Sequence, residues 1–261
     1  MIMKGGSSKT AVVTGAGSGI GKAAAIRLAK EGYAVALMDL KENRAKAVQE
    51  EILEDGGQAH VYDIDVSDET RVKEGLAHIN EQWGSIDVVF DNAGINGTFA
   101  PIEDMKTEDW EQTIHTNLKS TFLFVKHSIP YMKESGGSII ITSSINGNRT
   151  FSGIGMSAYS TSKAGQVAFM KMAALELARY HIRVNAICPG AIDTNIGQNT
   201  EKTKSLEKVQ IPVEYPEGSQ PLEHAPGTPE QVADLVYFLA SNQSSHITGT
   251  EMYIDGAESL L

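Results

Sequence analysis

Short apolar segments alternate along the chain with longer segments whose apolar residues recur every three to four positions. The short segments predict strands over 10–14, 34–39, 59–65, 88–92, 138–143, 183–188 and 251–254. The longer segments predict helices over 21–31, 44–55, 68–83, 110–133, 159–180 and 229–240. Strands that are apolar along their length and alternate with helices are typical of a parallel sheet covered on both faces. We therefore predict an α/β fold, a doubly wound parallel sheet of about seven strands forming one domain over 9–261.

Two segments depart from this alternation. Residues 1–8 are polar and rich in Gly and Ser, which predicts a flexible leader and not a signal peptide. Residues 191–227 contain four prolines and few apolar clusters. A loop of that length in a compact domain is usually a functional lid or a disordered segment, and we interpret it as a substrate lid. Gly32 predicts the end of the first helix, and Thr228 with Gln231 predicts a capped start of the last.

Composition and charge narrow the classes of partner. The chain has 261 residues and a formal net charge of −11, which argues against nucleic acid or an anionic membrane surface. No apolar run approaches the roughly 20 residues that span a bilayer. Cys188 is the single cysteine and lies in an apolar run, which predicts a buried inert thiol and a cytoplasmic enzyme. The seven His show no metal-ligand spacing, so we predict no metal.

A glycine-rich turn joins the first predicted strand to the first helix, in the run Thr14-Gly-Ala-Gly-Ser-Gly-Ile-Gly21. Glycines let the backbone turn tightly and approach a pyrophosphate, which binds the free N–H groups at a helix N-terminus. A tight strand-to-helix turn without a ligand also uses glycine. Its position after the first strand favours a dinucleotide site, with these candidate cofactor-binding residues: Gly15, Ser18, Gly19, Ile20 and Gly21.

Two acidic residues at strand ends extend this candidate site. Asp39 ends the second strand, 18 residues after Gly21, where a carboxylate can accept from both ribose hydroxyls of an adenosine and repel a 2′-phosphate. This favours NAD over NADP, although Asp39 could instead cap the next helix, and Lys41 could moderate the repulsion. Asp65 and Val66 end the third strand and are placed to meet the adenine ring, but Asp65 could equally form an Asx turn.

Tyr159 and Lys163 lie four residues apart in the run Ser157-Ala-Tyr-Ser-Thr-Ser-Lys163. On a helix they share one face, with Cβ atoms roughly 5–6 Å apart. A neighbouring ammonium lowers the pKa of a Tyr from about 10, and such a Tyr can exchange a proton with an alcohol or carbonyl. Alone the pair is a weak signal, because a solvated helix face produces the same spacing.

Several motifs in order give the chain a family resemblance from about residue 9 to its end. They are Thr14-Gly15-x-x-x-Gly19-x-Gly21, Asp65-Val66, Asn92-Ala93-Gly94, Asn117, Ser144, Tyr159-x-x-x-Lys163 and Pro189-Gly190. The chain resembles the classical short-chain dehydrogenases/reductases. The resemblance implies a Rossmann-type domain that binds NAD(P), interconverts alcohols and carbonyls, and commonly assembles as a homotetramer.

The resemblance also implies roles for four catalytic residues. Tyr159 looks like the general acid/base, and Lys163 would lower its pKa and hydrogen-bond the nicotinamide ribose. Ser144 would hold the substrate oxygen; Ser143 and Ser152 are rivals, but Ser144-Ile-Asn-Gly147 matches the family's Ser-x-x-Gly. Asn117 would anchor a water that links Lys163 to solvent, or it could be a helix-interior Asn bonded to its own backbone.

Further cofactor contacts follow from the same resemblance. Asn92, Gly94, Pro189 and Gly190 would line the cofactor site, with the backbone of Ile192 and the hydroxyl of Thr194 gripping the carboxamide.

Two features depart from the family pattern. Asp91 stands where the family usually has Asn, and the sequence gives no account of it. The spacing from Ser144 to Tyr159 is 15 residues, where many members have about 13. The enlarged loop makes Asn146, Phe151 and Met156 candidates for substrate contact, or ordinary loop packing.

Together these observations predict an NAD-dependent oxidoreductase that interconverts a secondary alcohol and a carbonyl compound, with a sugar, polyol or other small alcohol favoured. A 3-oxoacyl carrier-protein reductase is the alternative within enzymes, disfavoured by the net charge and by Asp39. A non-catalytic NAD-binding sensor is the alternative from another class. The apolar content of helices 110–133 and 159–180 is consistent with a subunit interface.

Overall fold

The computed structural model describes residues 9–151, 153–209, 211, 215 and 218–261. The predicted leader over 1–8, Ser152 and parts of the predicted lid lie outside the described residues. The strands in the described part are β1 (Thr10–Thr14), β2 (Ala34–Met38), β3 (Gln58–Tyr62), β4 (Val88–Asp91), β5 (Gly97–Phe99), β6 (Gly137–Thr142), β7 (Ile182–Pro189), β8 (Thr200–Lys202) and β9 (Glu251–Ile254). The helices are α1 (Gly19–Lys30), α2 (Glu42–Glu54), α3 (Glu69–Trp83), α4 (Thr107–Ile114), α5 (Ser120–Met132), α6 (Ser157–Leu177) and α7 (Pro229–Ala240).

All seven predicted strands pair in one parallel sheet, in the order β3-β2-β1-β4-β6-β7-β9. The connections run outward in opposite directions from β1 and β4, so the strand order reverses between these two strands. In open α/β sheets, a crevice forms outside the carboxyl ends of the strands at such a reversal. The predicted doubly wound α/β fold is confirmed, and its topology places a ligand crevice beyond Thr14 and Asp91.

Helices cover both faces of the sheet because the central strands are apolar on both sides. One buried cluster joins the sheet to α3, α5 and α6, with Phe124 among its members. The other joins the sheet to α1, α2 and α7, with Phe90 among its members. Both rings are fully buried, so the sheet is held between two apolar layers whose burial supplies the main driving force for folding.

The predicted end of one helix and the predicted start of another are confirmed. Gly32 has φ of 86° immediately after α1, the left-handed conformation that ends a helix. Thr228 and Gln231 form the predicted capping box at the start of α7. Predicted helix 110–133 is divided, because residues His115–Lys119 between α4 and α5 form a π-helical turn. Such wide turns occur frequently at functional sites, and this one contains Asn117.

Two backbone pairings hold the segment over 191–227, one between its two ends and one with the body of the domain. Ile192 pairs with Gly227 at its base, where Asp193 N–H donates to the Gly227 carbonyl at 2.9 Å. In its middle, β8 pairs in parallel with β5, which the sequence did not predict. Within the described residues, no helix is long and apolar enough to cross a membrane.

Candidate active site

A cavity of about 540 Å³ opens over the carboxyl ends of β1 and β4, at the strand-order reversal. Most of the predicted site residues line it: Gly15, Ser18, Gly19, Ile20, Asp39, Val66, Asn92, Gly94, Ser144, Asn146, Met156, Tyr159, Lys163, Pro189, Gly190, Ile192 and Thr194. Four predicted residues do not line it, namely Gly21, Asp65, Asn117 and Phe151. The fold thus brings residues from both halves of the chain to one elongated cleft.

The glycine-rich turn forms one wall of the cavity at the start of α1. Gly15 has φ of 63°, a conformation that a side chain disfavours. Gly21 lies behind the turn, where an added Cβ would stand 2.1 Å from the Gly15 carbonyl oxygen. Ser18 precedes α1 without making a side-chain cap, so the first N–H groups of the helix face the cavity uncapped. This arrangement fits the pyrophosphate of a dinucleotide.

Replacing Gly21 by Ala is expected to weaken NADH binding at least tenfold, because the new methyl group overlaps the Gly15 carbonyl and must displace the turn. Gly197→Ala is the matched control, since an added Cβ there meets no atom within 4 Å. The affinities are measured by NADH fluorescence titration. Equal affinities for the two variants would contradict the phosphate-binding role of the turn.

Asp39 lies at the opposite end of the cavity from Tyr159, beyond the glycine turn. Its Oδ2 accepts from the Gly17 N–H at 2.9 Å, and its Oδ1 accepts from the Lys41 N–H at 2.8 Å. Asp39 lies before the N-cap residue of α2, Lys41, and bonds its N–H instead of an N–H inside the helix. Arg44 also lines this end, a residue that the sequence analysis missed. The end of the cavity that would take an adenosine therefore holds one carboxylate and two cations.

Asp65 is engaged in its own turn. Its Oδ1 accepts from the Ser67 N–H at 2.9 Å and from the Ser67 hydroxyl at 2.7 Å. This is the Asx-turn alternative. Val66, buried beside it, does line the cavity. The structure thus offers the side chain of Val66, and not that of Asp65, to an adenine ring.

Tyr159 of α6 and Ser144 of the loop after β6 line the same cavity, and both residues are buried. The Ser144 side chain acts on the phenol, since it favours a lower pKa of Tyr159. The rival Ser143 is occupied elsewhere, because its hydroxyl donates to the Lys163 carbonyl at 2.9 Å and accepts from Asn148 Nδ2 at 3.0 Å. Of these two serines, only Ser144 pairs with the phenol.

The expected lowering of the Tyr159 pKa by Lys163 is not found in this structure. Burial raises the pKa of Tyr159, although the hydrogen bond from Ser144 opposes this. Lys163 Nζ stands 5.6 Å from the centre of the phenol ring and donates to the Thr142 carbonyl at 2.8 Å. Burial also lowers the pKa of Lys163 itself to about 8. Burial of both side chains thus determines the direction of their pKa shifts, and the lowering of the Tyr159 pKa that helix spacing suggested does not occur.

Asn117 lies fully buried under the site, in the π-helical turn. Its side chain clamps Ile95, accepting from the Ile95 N–H and donating to the Ile95 carbonyl, both at 2.9 Å. Its main-chain carbonyl accepts from Gln166 Nε2 at 2.9 Å. The hydrogen bonds of Asn117 therefore reach residues outside its own helix. Its role as a water anchor stays a prediction.

The lining of the cavity is rich in side-chain amides. Asn146 and Met156 line it as predicted, whereas the Phe151 side chain is 74% exposed and lies outside the lining. Three further asparagines that the sequence analysis missed also line the cavity: Asn96, Asn195 and Asn199. Neutral donors and acceptors of this kind suit hydroxyl groups.

Glu258 reaches the same cavity from the C-terminal segment, and no sequence motif marks it. Its Oε2 accepts from the Ala191 N–H at 2.8 Å and from Gln220 Nε2 at 3.2 Å. Gln220 Nε2 also donates to the Ala191 carbonyl at 2.8 Å. A carboxylate therefore ties the beginning of the 191–227 segment to its later part, beside Gly190.

Comparisons with known proteins agree with this architecture. A sequence model of the family described as enoyl-(acyl carrier protein) reductase matches residues 15–257. A 3β-hydroxysteroid dehydrogenase of Mediterraneibacter gnavus is 36% identical over 95% of this chain and 94% of that protein. A 3-oxoacyl-[acyl-carrier-protein] reductase of Thermotoga maritima is 36% identical over 95% of this chain and 96% of that protein.

A solved structure also has the same fold as this chain. The crystal structure of a 3-ketoacyl-ACP reductase from Sinorhizobium meliloti aligns with a TM-score of 0.91 and 44% identity, over 96% of this chain and 99% of that one. Such extensive similarity in sequence and structure covers the sheet, the glycine turn and the Tyr159–Lys163 helix together. The chain belongs to the classical short-chain dehydrogenase/reductase superfamily of oxidoreductases.

Proposed function

We propose that the protein is an NAD-dependent oxidoreductase that interconverts a secondary alcohol and a carbonyl compound, with a small neutral polyhydroxy compound as substrate. The observation that carries the proposal is the Tyr159–Ser144 pair, buried on the wall of the same cavity as the glycine-rich turn. A bound nicotinamide would supply the site that gives or takes the hydride.

The chain's own residues perform the proton chemistry in this proposal. The substrate oxygen lies between the Ser144 hydroxyl and the Tyr159 phenol, which polarise it by hydrogen bonding. In the reductive direction Tyr159 donates its proton to the oxygen as the carbonyl becomes an alcohol. In the oxidative direction the phenolate takes the hydroxyl proton. Because burial raises the pKa of Tyr159, the protonated form that reduction needs prevails at neutral pH.

The lining of the cavity supports the substrate class. The amides of Asn96, Asn146, Asn195 and Asn199 line it, and Glu258 adds a carboxylate to the lining. Amides pair with hydroxyl groups, while the carboxylate repels an anionic substrate. Lys41 and Arg44 lie at the Asp39 end. A sugar, a polyol or another small neutral alcohol fits this distribution.

A 3-oxoacyl carrier-protein reductase is the second candidate. It is favoured by the names of two similar proteins, the reductases from Thermotoga maritima and Sinorhizobium meliloti. The net charge of −11 and the carboxylate of Glu258 disfavour an acidic carrier protein and its anionic arm. The two candidates differ in substrate and in the expected cofactor, since Asp39 disfavours NADP, and they share the Tyr159 chemistry.

The proposed enzyme acts in the cytoplasm as a homotetramer. Exposed apolar side chains on α5 and α6 support an interface between copies, since Phe122, Met172 and Leu175 are 45%, 56% and 75% exposed. Buried apolar area is what drives such association.

The experiment that tests the proposed function follows absorbance at 340 nm with NAD and, separately, with NADP. The substrates are sugars, polyols, hydroxy acids, secondary alcohols and, in the reductive direction, a 3-oxoacyl thioester. We expect turnover with NAD on a neutral polyhydroxy substrate. Turnover confined to the thioester would replace the proposed substrate class with the second candidate.

The Asp39→Ala variant is expected to lower kcat/KM for NAD about 10- to 100-fold, the usual cost of losing charged hydrogen bonds. It is expected to improve the use of NADP, because Lys41 and Arg44 remain to meet a 2′-phosphate. The ratio of kcat/KM for the two cofactors measures this effect. Asp63→Ala, at an exposed position outside the cavity, is the matched control. An unchanged ratio in Asp39→Ala would contradict the role of Asp39.

A further inference from the structure

A buried carboxyl group lies directly beneath the active site and takes no part in the mechanism above. Asp91 ends β4, and the residue is only 1% exposed. It stands immediately before Asn92, which lines the cavity. A buried carboxylate is costly unless it is hydrogen-bonded and paired with a positive charge. The contacts of Asp91 therefore indicate what it does.

Two threonine hydroxyls hold the carboxylate from opposite sides. Thr14 of β1 accepts from the N–H groups of Asn92 and Ala93, both at 2.8 Å, which leaves its own proton to point at Asp91 Oδ1, 3.5 Å away. Thr121 of α5 donates to Asp91 Oδ2 at 2.5 Å. Both hydroxyls are thus arranged to stabilise the ionised form.

A glutamine connects this carboxylate to the catalytic helix. Gln166 lies on α6 less than one turn beyond Lys163, and its Nε2 donates to the Thr121 hydroxyl at 2.8 Å and to the Asn117 carbonyl at 2.9 Å. Both amide protons are therefore used, while its buried Oε1 has no partner in the described part of the chain. The two donated bonds fix the amide, and the network spans β4, α5 and α6.

Lys163 lies beside Asp91 in the fold, because its Nζ donates to the Thr142 carbonyl at 2.8 Å and Thr142 follows Ile141, the residue paired with Asp91 between β4 and β6. Both residues are buried, and the positive charge of Lys163 opposes the rise that burial causes in the pKa of Asp91. Burial lowers the pKa of Lys163 to about 8, and the negative charge of Asp91 is the first influence that opposes this. The other titratable groups that face Lys163 are Tyr159 and Cys188. Burial raises the pKa of both, that of Cys188 to about 12, so neither carries charge near pH 8. The anion that faces Lys163 is thus supplied by Asp91.

We propose that Asp91 is a positioning residue that acts through Lys163: held by Thr14 and Thr121, it is the buried counter-charge that keeps the Lys163 ammonium protonated beside the cofactor. The network orients the carboxylate, and the carboxylate sets the charge of the lysine. The proposal rests on the proposed function in one respect, because Lys163 is taken to bind the nicotinamide ribose. Asn at this position would keep the shape and lose the charge.

The test is an NMR pH titration of protein labelled with ¹³Cε-lysine, with Lys163 assigned by the loss of its signal in Lys163→Met. We expect Lys163 to titrate about one pH unit lower in Asp91→Asn than in the unmodified protein. Thr121→Val is the matched control, since it removes a hydroxyl from the network and keeps the anion. It should leave the titration of Lys163 near its original position.

NADH affinity between pH 6 and 9.5 supplies the functional readout. In Asp91→Asn, the loss of affinity at high pH should begin at lower pH than in the unmodified protein. An unchanged Lys163 titration in Asp91→Asn, or an equal shift in Thr121→Val, would overturn the proposal. Failure of the unmodified protein to bind NADH would contradict the proposed function alone, since the NMR titration does not depend on the cofactor.

Discussion

Replacing Tyr159 by Phe is expected to lower kcat by about 10²- to 10⁴-fold, the range typical for loss of a general acid or base. The variant removes one oxygen and keeps the ring, which packs in a buried position on α6. The phenol is joined to Ser144 and not to the glycine turn, so NADH affinity should not change. Initial rates at 340 nm and NADH fluorescence measure the two effects separately.

Tyr131→Phe is the matched control, because Tyr131 lies on α5 outside the cavity. It should turn over at the rate of the unmodified protein. Full activity in Tyr159→Phe would sink the assignment of Tyr159 as acid/base. An unmodified protein that binds NADH but turns over no substrate on the panel would favour the sensor alternative.

Replacing Asp91 by Asn is expected to stabilise the protein at pH 8 by at most about 3 kcal/mol. Burial raises the pKa of Asp91 from 3.8 to about 6, against the opposing hydrogen bond from Thr121 and the charge of Lys163. A shift of that size corresponds to about 3 kcal/mol between the two protonation states. The native fold binds this proton more tightly than the unfolded chain does, so ionisation of Asp91 destabilises the fold.

The stability gained in Asp91→Asn depends on pH. The stability that protonated Asp91 contributes is fully present below pH 3.8 and is lost as the pH rises through about 6. The advantage of Asp91→Asn should therefore be largest at pH 8, about half as large at pH 5 and about one fifth as large at pH 4. Urea unfolding at these pH values measures the difference. An advantage independent of pH would show that Asp91 does not titrate in this range.

The strand pattern was predictable because these strands are apolar along their length. Strand 10–14 and the turn after it could be placed together, since a glycine run between a strand and a helix leaves few other conformations. The confirmed capping box at Thr228 depends on neighbours within three residues, which sequence reading handles well. These features depend on residues that are close together in the sequence, and they can therefore be predicted from it.

Features that depend on distant contacts could not be predicted in this way. The ribbon of β5 and β8 has three residues in each strand, too few for a period to appear, and its partners are separated by about 100 positions along the chain. Glu258 enters the cavity only because the C-terminal segment folds back beside Gly190. The predicted lowering of the Tyr159 pKa was wrong because helix spacing carries no information about burial, and burial raises this pKa.

The way the 191–227 segment is attached has a consequence for how new specificities arise. The Ile192–Gly227 pairing closes the base of the segment, and the ribbon of β5 and β8 fixes its middle. Described residues of the segment that lie outside these pairings can therefore change without disturbing the sheet or the glycine-rich turn. Sequence changes in this segment can alter the lining of the cavity while the sheet and the glycine-rich turn stay in place. Proteins about 36% identical to this one can thus carry names as different as a steroid dehydrogenase and an acyl reductase.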